Sequence, residues 1–150
     1  MRHPLPRDSR NRGCQTAEAT IQDNVQLIRD CFEAFGRGDP GYIVARVSDD
    51  VDWRHPGSAE VPYAGAYKGR DGVAQFFTRI GQSVEVTNWQ PRHVLAVGDE
   101  VVATGAWSGK AKSTGKSFAS DWGMVFGLRE GKIESFRVVE DTAQLAAAFR

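Results

Sequence analysis

The chain reads as an α+β protein, with helices first and an antiparallel meander of strands afterwards. In the first half, apolar residues recur at helical spacing; in the second, long extended segments are broken by glycine-containing turns. Helices and strands do not alternate along the chain, which argues against an α/β arrangement.

The first helix is expected from about Thr16 to Phe35. Ile21, Val25, Ile28, Phe32 and Phe35 recur at spacings of four, three, four and three, forming one apolar face. Gly36 and Gly38 end it. Asp39 and Pro40 open a short second helix to about Val47, as cap and first residue. A strand follows from Val51 to His55, stopped by Pro56 and Gly57. After an aromatic loop, Val73, Phe76, Phe77 and Ile80 mark a third helix from Arg70 to about Gly81. Val84 to Val97 is extended, with a bend near Pro91, and Gly98-Asp99 turns it back. Glu100 to Lys110 and Lys116 to Leu128 are the next strands, and Arg129-Glu130-Gly131 leads into Lys132 to Val138. A C-terminal helix runs from Thr142 to Phe149, with Asp141 as its cap.

A chain of 150 residues suggests one domain, placed at residues 16–150 behind a disordered tail at 1–15. The tail carries four Arg and one Asp within residues 1–13 and no apolar run, so it reads as neither an export signal nor a membrane span. Lys plus Arg and Asp plus Glu each number 19, and no basic stripe interrupts the balance, which disfavours nucleic acid as a partner. Cys14 and Cys31 form no disulfide framework and no metal spacing, so the expected setting is a reducing cytoplasm, away from membranes. His3, His55 and His93 are not spaced as zinc ligands, and no metal or cofactor is expected. Gly109 to Ser117 imitates a phosphate-binding loop, but five residues separate its glycines where four are needed, and no helix follows.

Several strands are apolar on both faces. Phe118, Trp122, Met124 and Phe126 share one side, and Ala119, Gly123 and Val125 the other. A second copy of the chain on the outer sheet face is the simplest cover, so a homodimer is expected.

Four segments resemble the SnoaL-like branch of the nuclear transport factor two-like superfamily. They are Ala34 to Asp39, Ser48 to Gly57, Tyr67 to Phe77, and Gly131 through Phe136-Arg137 to Asp141-Thr142. The resemblance spans about residues 20–149. It implies a cone-shaped roll in which a strongly curved sheet wraps the N-terminal helices and encloses an apolar pocket. Ketosteroid isomerases, polyketide cyclases, limonene epoxide hydrolases and scytalone dehydratase share this fold, so it does not select a reaction.

The resemblance places the isomerase general base at the end of the first strand, before a proline. His55 stands there, and an imidazole can take or give a proton near neutrality. The plainer reading is a histidine at a pocket rim, orienting a ligand or bonded to backbone. Asp121 lies near the position of the family's second acidic group, two residues further from the following turn. It reads equally as a structural partner or an edge charge. The isomerase tyrosine of the first helix aligns with Cys31, which argues against steroid isomerisation. Arg137 is a candidate partner for Asp121, as in part of the epoxide hydrolase constellation, or an exposed or interface arginine. Glu140 falls on the opposite side of its strand from Arg137, so it does not complete that set. Trp53, Tyr63, Tyr67, Phe77, Trp89 and Trp107 are candidates to line a site for a flat hydrophobic ligand, with core packing the alternative for each. Tyr63 and Tyr67 are placed over its mouth, with hydroxyls available to a carbonyl.

The expected function is a cofactor-free isomerase, cyclase or dehydratase acting on a small hydrophobic carbonyl compound through His55 and Asp121. The alternative is a non-catalytic ligand-binding or stress-related homodimer of the same fold.

Overall fold

The computed structural model describes the backbone of residues 9–150 and the side chains of residues 20–150. Four helices and six strands are present among the described residues: α1 (Ser9–Gly36), α2 (Pro40–Val44), β1 (Val47–His55), β2 (Gly65–Lys68), α3 (Gly69–Ser83), β3 (Val84–Val97), β4 (Glu100–Ala111), β5 (Ser117–Arg129), β6 (Lys132–Glu140) and α4 (Thr142–Ala148). The α+β architecture is the one expected. The strands form a single curved sheet in the order β2-β1-β6-β5-β4-β3. Every neighbouring pair is antiparallel except β1 and β6, which run parallel.

Several boundaries differ from the sequence reading. α1 begins at Ser9 rather than Thr16, so the expected tail falls partly on its first turns and partly on residues 1–8, outside the described residues. α2 ends at Val44, three residues early, and β1 starts four residues early at Val47. The aromatic loop contains a short strand, β2, paired to β1 with Tyr67 opposite Trp53. β6 runs two residues past Val138, to Glu140. The bend foreseen near Pro91 is a register shift between Pro91 and His93; β3 is an edge strand, where proline removes no ladder bond.

The concave face of the sheet holds the core. α1 packs across β3 and α3 packs on β1. Strand alternation sends Trp53 and His55 of β1, Phe136 and Val138 of β6, Trp122 and Phe126 of β5, and Ala103 and Trp107 of β4 inward, and all are buried. Ile28, Cys31 and Phe32 of α1 meet them from above. Trp89 ties helix to sheet: its indole N–H donates to the Phe32 carbonyl at 3.0 Å. Asp141 caps α4 as expected, accepting from the Gln144 N–H at 3.1 Å.

Candidate functional site

β1 ends at His55 because Pro56 brings no N–H to continue the ladder. Gly57 then turns the chain away at φ 141°, a conformation that favours glycine. The Pro56 carbonyl folds back to 2.7 Å from His55 Nδ1. A carbonyl only accepts, so Nδ1 carries a proton and Nε2 is left facing the interior.

The parallel pairing with β6 decides what Nε2 meets. Trp53 lies beside Phe136 and Arg54 beside Arg137, so the inward side chains of β6 after Phe136 are Val138 and Glu140. Glu140 Oε1 lies 2.7 Å from His55 Nε2, with both side chains almost wholly shielded (6% and 2% exposed). Oε1 has no other hydrogen-bond partner among the described residues. Two bare acceptors would repel at that distance, so the contact requires a proton between them. The other carboxylate oxygen, Oε2, accepts the Trp107 indole N–H at 2.9 Å. Trp107 pairs with Ser120 on β5, whose small side chain leaves the indole room to reach Glu140 across that strand.

His55 and Glu140 line one side of a cavity of about 70 Å³, whose other walls are almost entirely apolar: Trp53, Trp122, Phe76, Phe126, Phe136 and their neighbours. Cys31 lies in the wall from α1, and burial pushes its thiol up to about 12. Among the described residues, no lysine or arginine lines the cavity. Among the described residues, no group of three or more His, Cys, Asp or Glu side chains is arranged to hold a metal ion.

Of the residues singled out in the sequence, the structure brings His55, Trp53, Phe77, Trp89 and Trp107 to this cavity. Tyr63 and Tyr67 do not line it. Tyr63 is fully buried behind the histidine, edge-on to its ring with centroids 4.9 Å apart. Burial, and then the charge of Glu140, push its phenol well above the ordinary tyrosine value. The Tyr67 hydroxyl is already engaged, donating to the Tyr63 carbonyl at 3.0 Å and accepting from Arg79 at 3.2 Å.

Asp121 is a correction. It alternates with Ser120 and Trp122, so it points out of the sheet, where its side chain is 83% exposed and 3.2 Å from Arg92. It cannot share a site with His55. Arg137 is a second correction: it is exposed on the same outer face, and Arg92, not Arg137, holds Asp121. The acid that meets His55 is Glu140. Parity along β6 already set it opposite Arg137, but the strand was expected to stop at Val138. Nothing local in the sequence says that β6 lies beside β1.

The SnoaL-like domain model matches residues 28–136. An NTF2-like protein of Burkholderia xenovorans LB400 is 34% identical, with 87% of this chain and 98% of that chain covered and a TM-score of 0.78. An NTF2-like protein of Burkholderia pseudomallei K96243 is 26% identical, with 85% and 97% covered and a TM-score of 0.76. A Xanthomonas campestris pv. campestris protein provisionally termed a polyketide cyclase shares the fold at 22% identity, with 87% and 98% covered and a TM-score of 0.71. No curated protein matches the chain.

Proposed function

The chain belongs to the SnoaL-like domain family, and within that frame we propose that it is a cofactor-independent acid–base enzyme. It moves a proton at a carbon next to the carbonyl of a small, neutral, hydrophobic compound. The observation that carries this reading is the 2.7 Å contact between His55 Nε2 and Glu140 Oε1 inside an otherwise apolar cavity. A titratable pair shut away from water is where proton transfer is best controlled.

The bookkeeping of the step is simple. With the shared proton on His55, Glu140 is a carboxylate and accepts the substrate's α-proton. The C–H bond breaks, its electron pair forms the enolate double bond, and the carbonyl oxygen takes the charge. Returning the proton to the same or a different carbon gives exchange or isomerisation. Trp107 keeps the carboxylate oriented by its bond to Oε2.

The test is deuterium exchange at the α-carbons of cyclohexanone in D₂O, followed by ¹H NMR. The native protein is expected to exceed buffer, and His55→Gln and Glu140→Gln to lower the protein-catalysed rate by roughly 100-fold or more. Exchange no faster than buffer, or unchanged in both variants, would sink the proposal.

A second reading, a non-catalytic homodimer whose pocket merely packs, is favoured by the cavity's size. About 70 Å³ is well below the roughly 300–1,000 Å³ of common small-molecule sites. Absence of cyclohexanone binding would select it. Under either reading, we propose a second copy of the chain as partner on the outer sheet face, where Leu95, Val97 and Val139 are 62%, 60% and 75% exposed.

A further inference from the structure

Four tryptophans line the cavity, and they fall into two pairs. The indole N–H of Trp89 is taken by the Phe32 carbonyl and that of Trp107 by Glu140. Those of Trp53 and Trp122 have no acceptor among the described residues, although each side chain belongs to a residue only 3% exposed. An indole can only donate, and a buried donor left without an acceptor is costly, so such groups call for explanation.

Their positions give one. Trp53 precedes His55 by two residues on β1 and shares its face. Trp122 is the cross-strand partner of Glu140. Each unpartnered indole therefore flanks one member of the dyad. Among the described residues no lysine or arginine lines the cavity, and the positive charge His55 carries when it holds the shared proton is matched by Glu140, so no cation is left for an anionic ligand.

We infer that Trp53 and Trp122 are the cavity's hydrogen-bond donors to ligand carbonyl oxygens, so that the ligand is an uncharged, largely apolar ketone or diketone. This rests on the cavity being the ligand site proposed above, but not on the dyad turning over. An oxygen held beside Glu140 or His55 brings the adjacent carbon to the base, and a donor that reaches that oxygen stabilises the charge it gains. With β6 lying between the strands that carry the two indoles, one carbonyl engages one donor, and a second acceptor is needed to engage both. The free volume of about 70 Å³ holds roughly two waters, which sets the scale of the buried part of the ligand.

The experiment uses two probes of one shape. Cyclohexanone carries the acceptor; methylenecyclohexane replaces C=O by C=CH₂. Each is titrated into protein labelled with ¹⁵N at the indole nitrogens, with resonances assigned from single Trp→Phe variants. Cyclohexanone is expected to move the N–H proton of Trp53 or Trp122 downfield, leaving Trp89 and Trp107 nearly fixed, and methylenecyclohexane to move neither downfield. Trp122→Phe and Trp53→Phe keep an aromatic ring. At least one should weaken cyclohexanone about fivefold, the scale of one neutral hydrogen bond, without weakening methylenecyclohexane. Identical responses to both probes, in the native protein alone, overturn the inference even where a variant does not fold. Dyad-dependent α-exchange without any indole response overturns it while leaving the enzyme reading standing. An indole response with exchange indifferent to His55→Gln does the reverse.

Discussion

Pro56 does two things for His55: it ends the strand, and its carbonyl fixes which ring nitrogen bears the obligatory proton. The histidine was legible from that proline, because a strand end is a local signal. Its acid was not, since choosing Glu140 over Asp121 depends on which strand lies beside β1. Glu140 also anchors Trp107, so Glu140→Leu strands two polar groups, the bare Nε2 of His55 and the Trp107 indole N–H, in an apolar space. At about 1–3 kcal/mol for each stranded group, the variant should unfold at clearly lower urea, measured by tryptophan fluorescence. Cys31 supplies a pH prediction. Its thiol is raised from 9.0 to about 12, so the folded state favours the neutral form. That contribution is complete below pH about 9 and is lost as pH rises towards 12, because only the unfolded chain ionises in that window. Cys31 in the native protein at pH 8 should therefore resist thiol-specific reagents that label it in urea, and rapid labelling of Cys31 itself, located by peptide mapping, would contradict the burial argument.

Among the elements, β4 and β5 show how backbone shapes the site. Gly105 pairs with Trp122, and a Cβ there would lie 2.4 Å from the indole Cζ2 and 2.7 Å from the Gln90 carbonyl. The missing side chain is what lets Trp122 lie flat against the sheet and stack on Trp89, centroids 5.1 Å apart. Gly105→Ala should cost about 1–3 kcal/mol, read by chemical denaturation, and should perturb any ligand response of the Trp122 indole. A neutral substitution would mean that the ring moves freely. The strand order along the chain and the turns between them were readable because hairpins are local and obey period two. Element ends were less so: β6 continues to Glu140 because its last residues pair with Trp122 and Gly123, a condition set by the neighbour rather than by residues 139 and 140 themselves.

At the scale of the whole molecule, the sheet has two unlike faces. The concave one is filled from above by α1 and α3; the convex one carries Leu95, Val97 and Val139 beside Arg137 and the Arg92–Asp121 pair. Asp121, expected in the site, belongs to this face instead. If a second copy covers it, Val139→Glu should shift sedimentation from dimer to monomer with little change in cyclohexanone exchange; a monomeric native protein would remove the proposed partner.

The single parallel pairing in the sheet has a consequence for the order in which the molecule comes into being. β1 is the first strand of the sheet to leave the ribosome and β6 the last, so the histidine waits for its acid through more than half of the synthesis of the domain. Closing that long loop is entropically the most demanding step of assembly, and hairpins β3–β4 and β4–β5 can form ahead of it. A nascent or truncated chain without β6 can hold much of the meander yet no proton-sharing pair.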